Sequence, residues 1–216
     1  MSFPHAAKGI SKIFISELLT LISGIALFVM LMLSAAKVKG TENGILIGLT
    51  IAGAVFVVAF ILKVIGYFQT SRDEERFTRA IIFAVIFVVL LIAANFLQSQ
   101  KDVVMQWIYT IILVAAETMQ LMFWVSTIGG MGELSYKCRD EGLVRRGNTI
   151  LKILSAIYTL NVILIILNRI FVFFLSDKIT GTISMIITAV VAVLSLIQYI
   201  LYITYLANVS GMLKHS

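Results

Sequence analysis

Glu117 is the residue from which chemistry could start. It is the one acidic residue deep inside an apolar run, at the middle of Val103–Ile128, VVMQWIYTIILVAAETMQLMFWVSTI. The run is long enough to cross a bilayer as a helix. Trp107 and Trp124 near its ends would stand roughly 25 Å apart, the separation at which interfacial aromatic belts fall. An ionised carboxylate near the midplane is costly, and no basic residue shares its depth, since Arg169 and Lys63 belong toward opposite interfaces. Glu117 is therefore expected either to be neutral and hydrogen-bonded, with Asn161, Gln198 or Tyr202 as partners, or to face a wet cavity that admits protons and cations.

The residues around it support a polar interior. At about 100° per residue, Gln106, Thr110, Leu113, Glu117, Gln120 and Trp124 share one helical face. A later apolar run places Tyr158, Asn161 and Asn168 on one face, and the last places Ser184, Ser195, Gln198, Tyr202 and Tyr205 on another. Glu117, Gln120, Asn161, Gln198 and Tyr202 form the expected set for binding a small molecule, a proton or a cation. The competing reading of the same residues is interhelical hydrogen-bonding glue, worth about 1 kcal/mol per bond.

The elements that must position these residues are six apolar runs: Ile13–Ala36, Ile45–Phe68, Ala80–Leu97, Val103–Ile128, Thr149–Leu175 and Thr182–Ala207. Of the 216 residues 60% are apolar and 13% charged, with a mean hydropathy of +1.04, more apolar surface than a water-soluble domain of this length can hide. The expected architecture is one all-α polytopic domain over residues 1–216, a six-helix membrane bundle. Its lone proline, Pro4, lies outside the runs, so none is broken there as in many secondary transporters. The N-terminal run lacks a small-residue cleavage site and reads as an uncleaved first span.

Orientation follows from the basic residues. One side would carry Lys8, Lys12, Arg72, Arg76, Arg79, Lys137, Arg139, Arg145, Arg146, Lys152 and Lys214, and the other Lys37, Lys39, Lys101, Arg169 and Lys178. The positive-inside rule then places both termini in the cytoplasm of a multi-pass protein of the plasma membrane. Topology alone accounts for the basic clusters, without bound anionic lipid.

Several local features carry structural expectations. Glu17 sits one turn inside the cytoplasmic end of the first helix, where its side chain is expected to snorkel to water. Gly44, Gly48 and Ala52 form a small-xxx-small series suited to helix packing within the bundle. Ser71 and Glu74 have capping-box spacing, predicting a third helix that starts near Arg72, and Glu75 and Arg79 form an i,i+4 pair. Gly129-Gly130-Met131-Gly132 is expected to loosen or end the fourth helix. The cytoplasmic loops repeat a triplet, Arg72-Asp73-Glu74 and Arg139-Asp140-Glu141, with Arg79 and Arg146 at matching offsets. This suggests duplication of a helical hairpin, against the alternative of convergent loop chemistry.

Other chemistry is excluded on residue type. Cys138 is the sole cysteine, so no internal disulfide or thiolate metal cluster can form. His5 and His215 lie in the tails, which removes rhomboid-like and HExxH chemistry from the spans. Glu74-Glu75-Arg76-Phe77-Thr78-Arg79 spells the EExxxR string of CAAX-type intramembrane proteases, but that chemistry also needs histidines on later spans. There is no P-loop and no dinucleotide fingerprint, and the net charge of +6 belongs to loops flanking spans rather than to a nucleic-acid surface. No enzyme activity, cofactor or resident metal is expected. Two function classes stay open: a small-molecule or cation transport or binding protein built on Glu117, and a non-catalytic accessory or assembly protein. For the second, partners are the bilayer, a second copy or another membrane subunit.

Overall fold

A computed structural model describes residues 3–35, 42–98, 102–174 and 177–215. The elements, all α-helices, are α1 (Pro4–Ala35), α2 (Glu42–Thr70), α3 (Arg76–Leu97), α4 (Val103–Lys137), α5 (Glu141–Phe174) and α6 (Asp177–His215). No strand occurs among the described residues. All six are long and apolar enough to cross a membrane, and only 11–22% of each apolar stretch is buried within the protein. Side chains such as Phe96, 76% exposed, would be ruinous in water and are at home in lipid. The chain has the make-up of a multi-pass membrane protein. It divides into two units, residues 1–73 with 206–216, and residues 74–205.

In the first unit α1 and α2 run antiparallel, with Gly9 against Gly66, Glu17 against Lys63, and Met30 against Gly48. At the first of these levels the backbones nearly touch. A Cβ on Gly66 would stand 2.7 Å from the Gly9 carbonyl oxygen and 2.7 Å from Ile13 Cγ1. The seam is built on a seven-residue period in both helices. Gly9, Ser16 and Ser23 on α1 are buried, as are Gly66, Ala59 and Ala52 on α2. Ser16 and Ser23 donate to their own helix, at the Ile13 and Thr20 carbonyls, so neither leaves an unmet donor in the seam. Of the expected small-residue series, Ala52 is buried in the seam, Gly48 faces Met30, and Gly44 has nothing within 4 Å.

Glu17 departs from its expected course. It is 1% exposed and its Oε1 lies 2.6 Å from Lys63 Nζ. A lysine 46 positions away, brought level by the antiparallel register, makes burial cheaper than snorkelling. The open end of α1 is capped from α2's exit, where Asp73 Oδ2 accepts from the Ala6 amide at 2.7 Å. Ser11 and Ser210 hydroxyls, 3.1 Å apart, join the last turns of α6 to the same unit.

The second unit contains α3, α4, α5 and α6 as far as Tyr205. The capping box does not form: α3 begins at Arg76, and the Ser71 hydroxyl donates to the Phe68 carbonyl at 2.9 Å. Glu74 is instead buried and held by Lys137 Nζ at 2.7 Å, so neither capping partner is available. Glu75 and Arg79 do pair, at 2.9 Å.

The glycine run does not end α4, which continues to Lys137. A Cβ on Gly130 would stand 2.7 Å from the Phe77 ring and one on Gly129 2.9 Å from Arg76 Nη1. The glycines thus let α3 lie against α4, and that packing overrides their poor helix propensity. The helix ends later, at a turn that glycine would ordinarily make. Arg139 takes φ 62°, its amide donates to the Tyr136 carbonyl and the Asp140 amide to Ser135, both at 2.9 Å, which is a Schellman closure. Asp140 Oδ1 then accepts from the Leu143 amide at 3.0 Å, capping α5. The two matched triplets therefore do different work. Asp73 caps α1, whereas Arg139 and Asp140 close α4 and open α5.

Candidate functional site

Polar and aromatic side chains of α4, α5 and α6 meet in the second unit at Trp124, Tyr158, Gln198 and Tyr202. Glu117 and Gln120 are half-buried on adjacent turns of α4. Tyr158 of α5 neighbours Gln198 of α6 and Trp124 of α4. Trp124 meets Tyr202 edge to face with ring centroids 4.5 Å apart. Gln198, Tyr158 and Tyr202 are 8%, 4% and 0% exposed. Asn161 follows one turn after Tyr158 on the same face of α5.

Two acceptors in this region are unmet. Glu117 Oε2 and Asn161 Oδ1 are both buried without a hydrogen-bond partner. An orphaned buried carboxylate oxygen carries a desolvation penalty that a proton, a cation or a donor would relieve. Two turns along α4 from it, Trp124 meets Tyr202 edge to face, and the faces of such rings favour cations. The arrangement can hold positive charge, and neither His, Cys nor a second carboxylate stands with it: no cluster of metal-ligating residues occurs among the described residues.

No family model matches this chain, and no curated protein and no solved structure matches it at a significant level. The site must speak from its own geometry.

Of the residues expected on sequence, Gln198 and Tyr202 come together through Tyr158 and Trp124, while Gln120 and Glu117 lie one and two turns along α4 from Trp124, and Asn161 lies one turn along α5 from Tyr158. Trp124, expected on the polar face of α4 and in an interfacial aromatic belt, packs its ring against Tyr202. Asn168 and Ser184 have side chains outside the described residues. Arg169, assigned to the outer side, lies inside α5 and donates from Nη2 to Gln106 Oε1 of α4, so the polar face of α4 is tied to α5 at that end too. Lys37, Lys39 and Lys101 fall outside the described residues.

A concavity away from Glu117 was not legible in the sequence. A cavity of about 320 Å³ opens among the start of α3, the end of α4 and the start of α5, with Arg76, Gly129, Gly132, Glu133 and Asn148 in its lining. Its floor is the glycine run that could only be read as a helix end. It shares no residue with the Glu117 cluster.

Proposed function

We propose that the protein binds, and moves across the membrane, a proton or a cationic small molecule held at Glu117. The observation that carries this is the buried Glu117 Oε2 without a donor. Gln120, Asn161, Gln198 and Tyr202 complete the binding set, and Trp124 and Tyr158 join it on the strength of their contacts. In this reading the protein is a six-helix bundle of the plasma membrane, without catalytic activity, resident cofactor or metal, and without nucleic acid as a partner.

The test is flux in proteoliposomes loaded with a pH-sensitive dye and challenged with sodium, potassium or tetraethylammonium. Wild type should give a proton or cation signal that Glu117→Gln lowers at least tenfold while melting normally. Equal flux for the two proteins would sink the reading. The rival assignment, an accessory or assembly subunit with Glu117 as glue, predicts a different pattern. Glu117→Gln should then behave as wild type, and Glu117→Leu should lose about 1–2 kcal/mol through its missing hydrogen bonds.

The orientation belongs to the same proposal. Cysteines placed at Lys39, Lys101 or Lys178 should react with impermeant reagents from outside the cell, and Cys138 or a cysteine at Ser71 should not. The opposite labelling would invert the bundle. The matched loop triplets fit an ancient hairpin duplication whose two turns have since taken separate jobs, Asp73 on α1 and Asp140 on α5.

A further inference from the structure

The cavity between α3, α4 and α5 has the features of a site for a zwitterion. α3 is 22 residues long, about 33 Å, which just covers a hydrocarbon core. Its first residue, Arg76, therefore stands at the interface, in the headgroup layer. The charges gathered there are two of each sign. Arg76 Nη2 is 3.6 Å from Glu133 Oε2, Arg76 Nε is 4.0 Å from Glu74 Oε1, and Lys137 holds Glu74 at 2.7 Å. The Lys137–Glu74 contact is a closed hydrogen-bonded pair. The Arg76–Glu133 contact is not: at 3.6 Å the two attract without a hydrogen bond, and both reach the cavity wall. The loosely paired Arg76 fork and Glu133 carboxylate thus face a common space, and a ligand bearing both charges could divide them.

The shape agrees with the charge. At about 320 Å³ the space lies at the small end of small-molecule sites, which run about 300–1,000 Å³. The absence of a side chain at Gly129 makes room for the guanidinium, since a Cβ there would stand 2.9 Å from Arg76 Nη1. Gly132 leaves its own side open, its nearest neighbour being the Tyr205 hydroxyl at 3.8 Å. Val144 and Leu151 supply an apolar wall, against which a chain or glycerol backbone could rest.

We propose that this cavity binds a compound carrying a phosphate and a primary ammonium a few bonds apart, the phosphate on Arg76 and the ammonium on Glu133. Arg76 meets the phosphate with its two-pronged fork, and Glu133 accepts from the ammonium N–H groups. Two sources share this chemistry: the headgroup of phosphatidylethanolamine and free phosphoethanolamine.

The experiment is native mass spectrometry of the full chain in detergent with short-chain phosphatidylethanolamine, phosphatidylcholine or phosphatidylglycerol added in turn. Wild type should retain phosphatidylethanolamine at least tenfold better than phosphatidylcholine, whose nitrogen has no N–H, or phosphatidylglycerol, which has no ammonium. Glu133→Gln removes a half-exposed partner and should fold normally, yet lose that preference. Gly132→Leu fills the space from its open side and should lower retention whatever the headgroup. Free phosphoethanolamine displacing the lipid at equal concentration would assign the site to a soluble ligand of the same class; failure to displace assigns it to the lipid. Equal retention of all three lipids by wild type, or an unchanged preference in Glu133→Gln, would overturn the proposal.

Discussion

Lys63→Met should destabilise the α1–α2 pair by about 2–3 kcal/mol, and Glu17→Gln added to it should recover most of that loss. Lys63 is 28% exposed and Glu17 only 1%, so removing the lysine takes the counter-charge from a carboxylate held away from water. Breaking a buried pair from one side costs about 3–5 kcal/mol. The lower figure reflects the lysine's partial exposure, which weakens the pair through solvent screening. Replacing both partners leaves a neutral amide against a thioether, and such exchanges are often close to neutral. The measurement is thermal unfolding in detergent of the two single variants and the double variant. Additive losses would show that the two groups do not act as a pair and that Glu17 finds another route to solvent.

The second large effect lies one turn further along α2. Gly66→Ala should cost about 1–3 kcal/mol and Gly66→Leu more, because the added carbon meets the Gly9 backbone 2.7 Å away, where no side chain can swing aside. Gly24 and Gly53 are the controls. Nothing lies within 4 Å of a Cβ at either position, and alanine there should stabilise the helix by up to about 1 kcal/mol. Proteolysis or thermal unfolding would read out all four proteins. A tolerant Gly66 would mean that α1 and α2 are not in backbone contact.

These two sites show where sequence reading succeeds and where it stops. Hydropathy counts alone separate six spans, because lipid imposes a length and an apolar composition on every crossing. The Glu75–Arg79 pair is local enough to read by offset. Glu17 and Lys63 are a different matter. Each looks like an isolated charge near a membrane end, and only the antiparallel register makes them neighbours. Glycine is harder still. Gly129 and Gly130 carry the same local signal whether they end a helix or admit a neighbour, and the decision rests on Phe77 and Arg76, which are remote in sequence. The cavity at Arg76 and Glu133 follows from that same close approach and was hidden for the same reason. Arg139 is the converse, since a left-handed residue here is an arginine where glycine would have announced the turn.

The seven-residue period of the α1–α2 seam sets a handedness. A straight α-helix drifts about 20° per heptad from a strict seven-residue repeat. Gly9, Ser16 and Ser23 span two heptads, as do Gly66, Ala59 and Ala52, so on rigid straight rods the stripe would rotate about 40° out of the interface. Contact at Gly66 would then be lost before Ala52 was reached. Keeping both ends of the stripe closed asks α1 and α2 to coil around each other in the left-handed sense. An insertion of one residue between Gly9 and Ser23 would throw the far end of the stripe a quarter turn into lipid, whereas an insertion of seven would lengthen the seam without turning it.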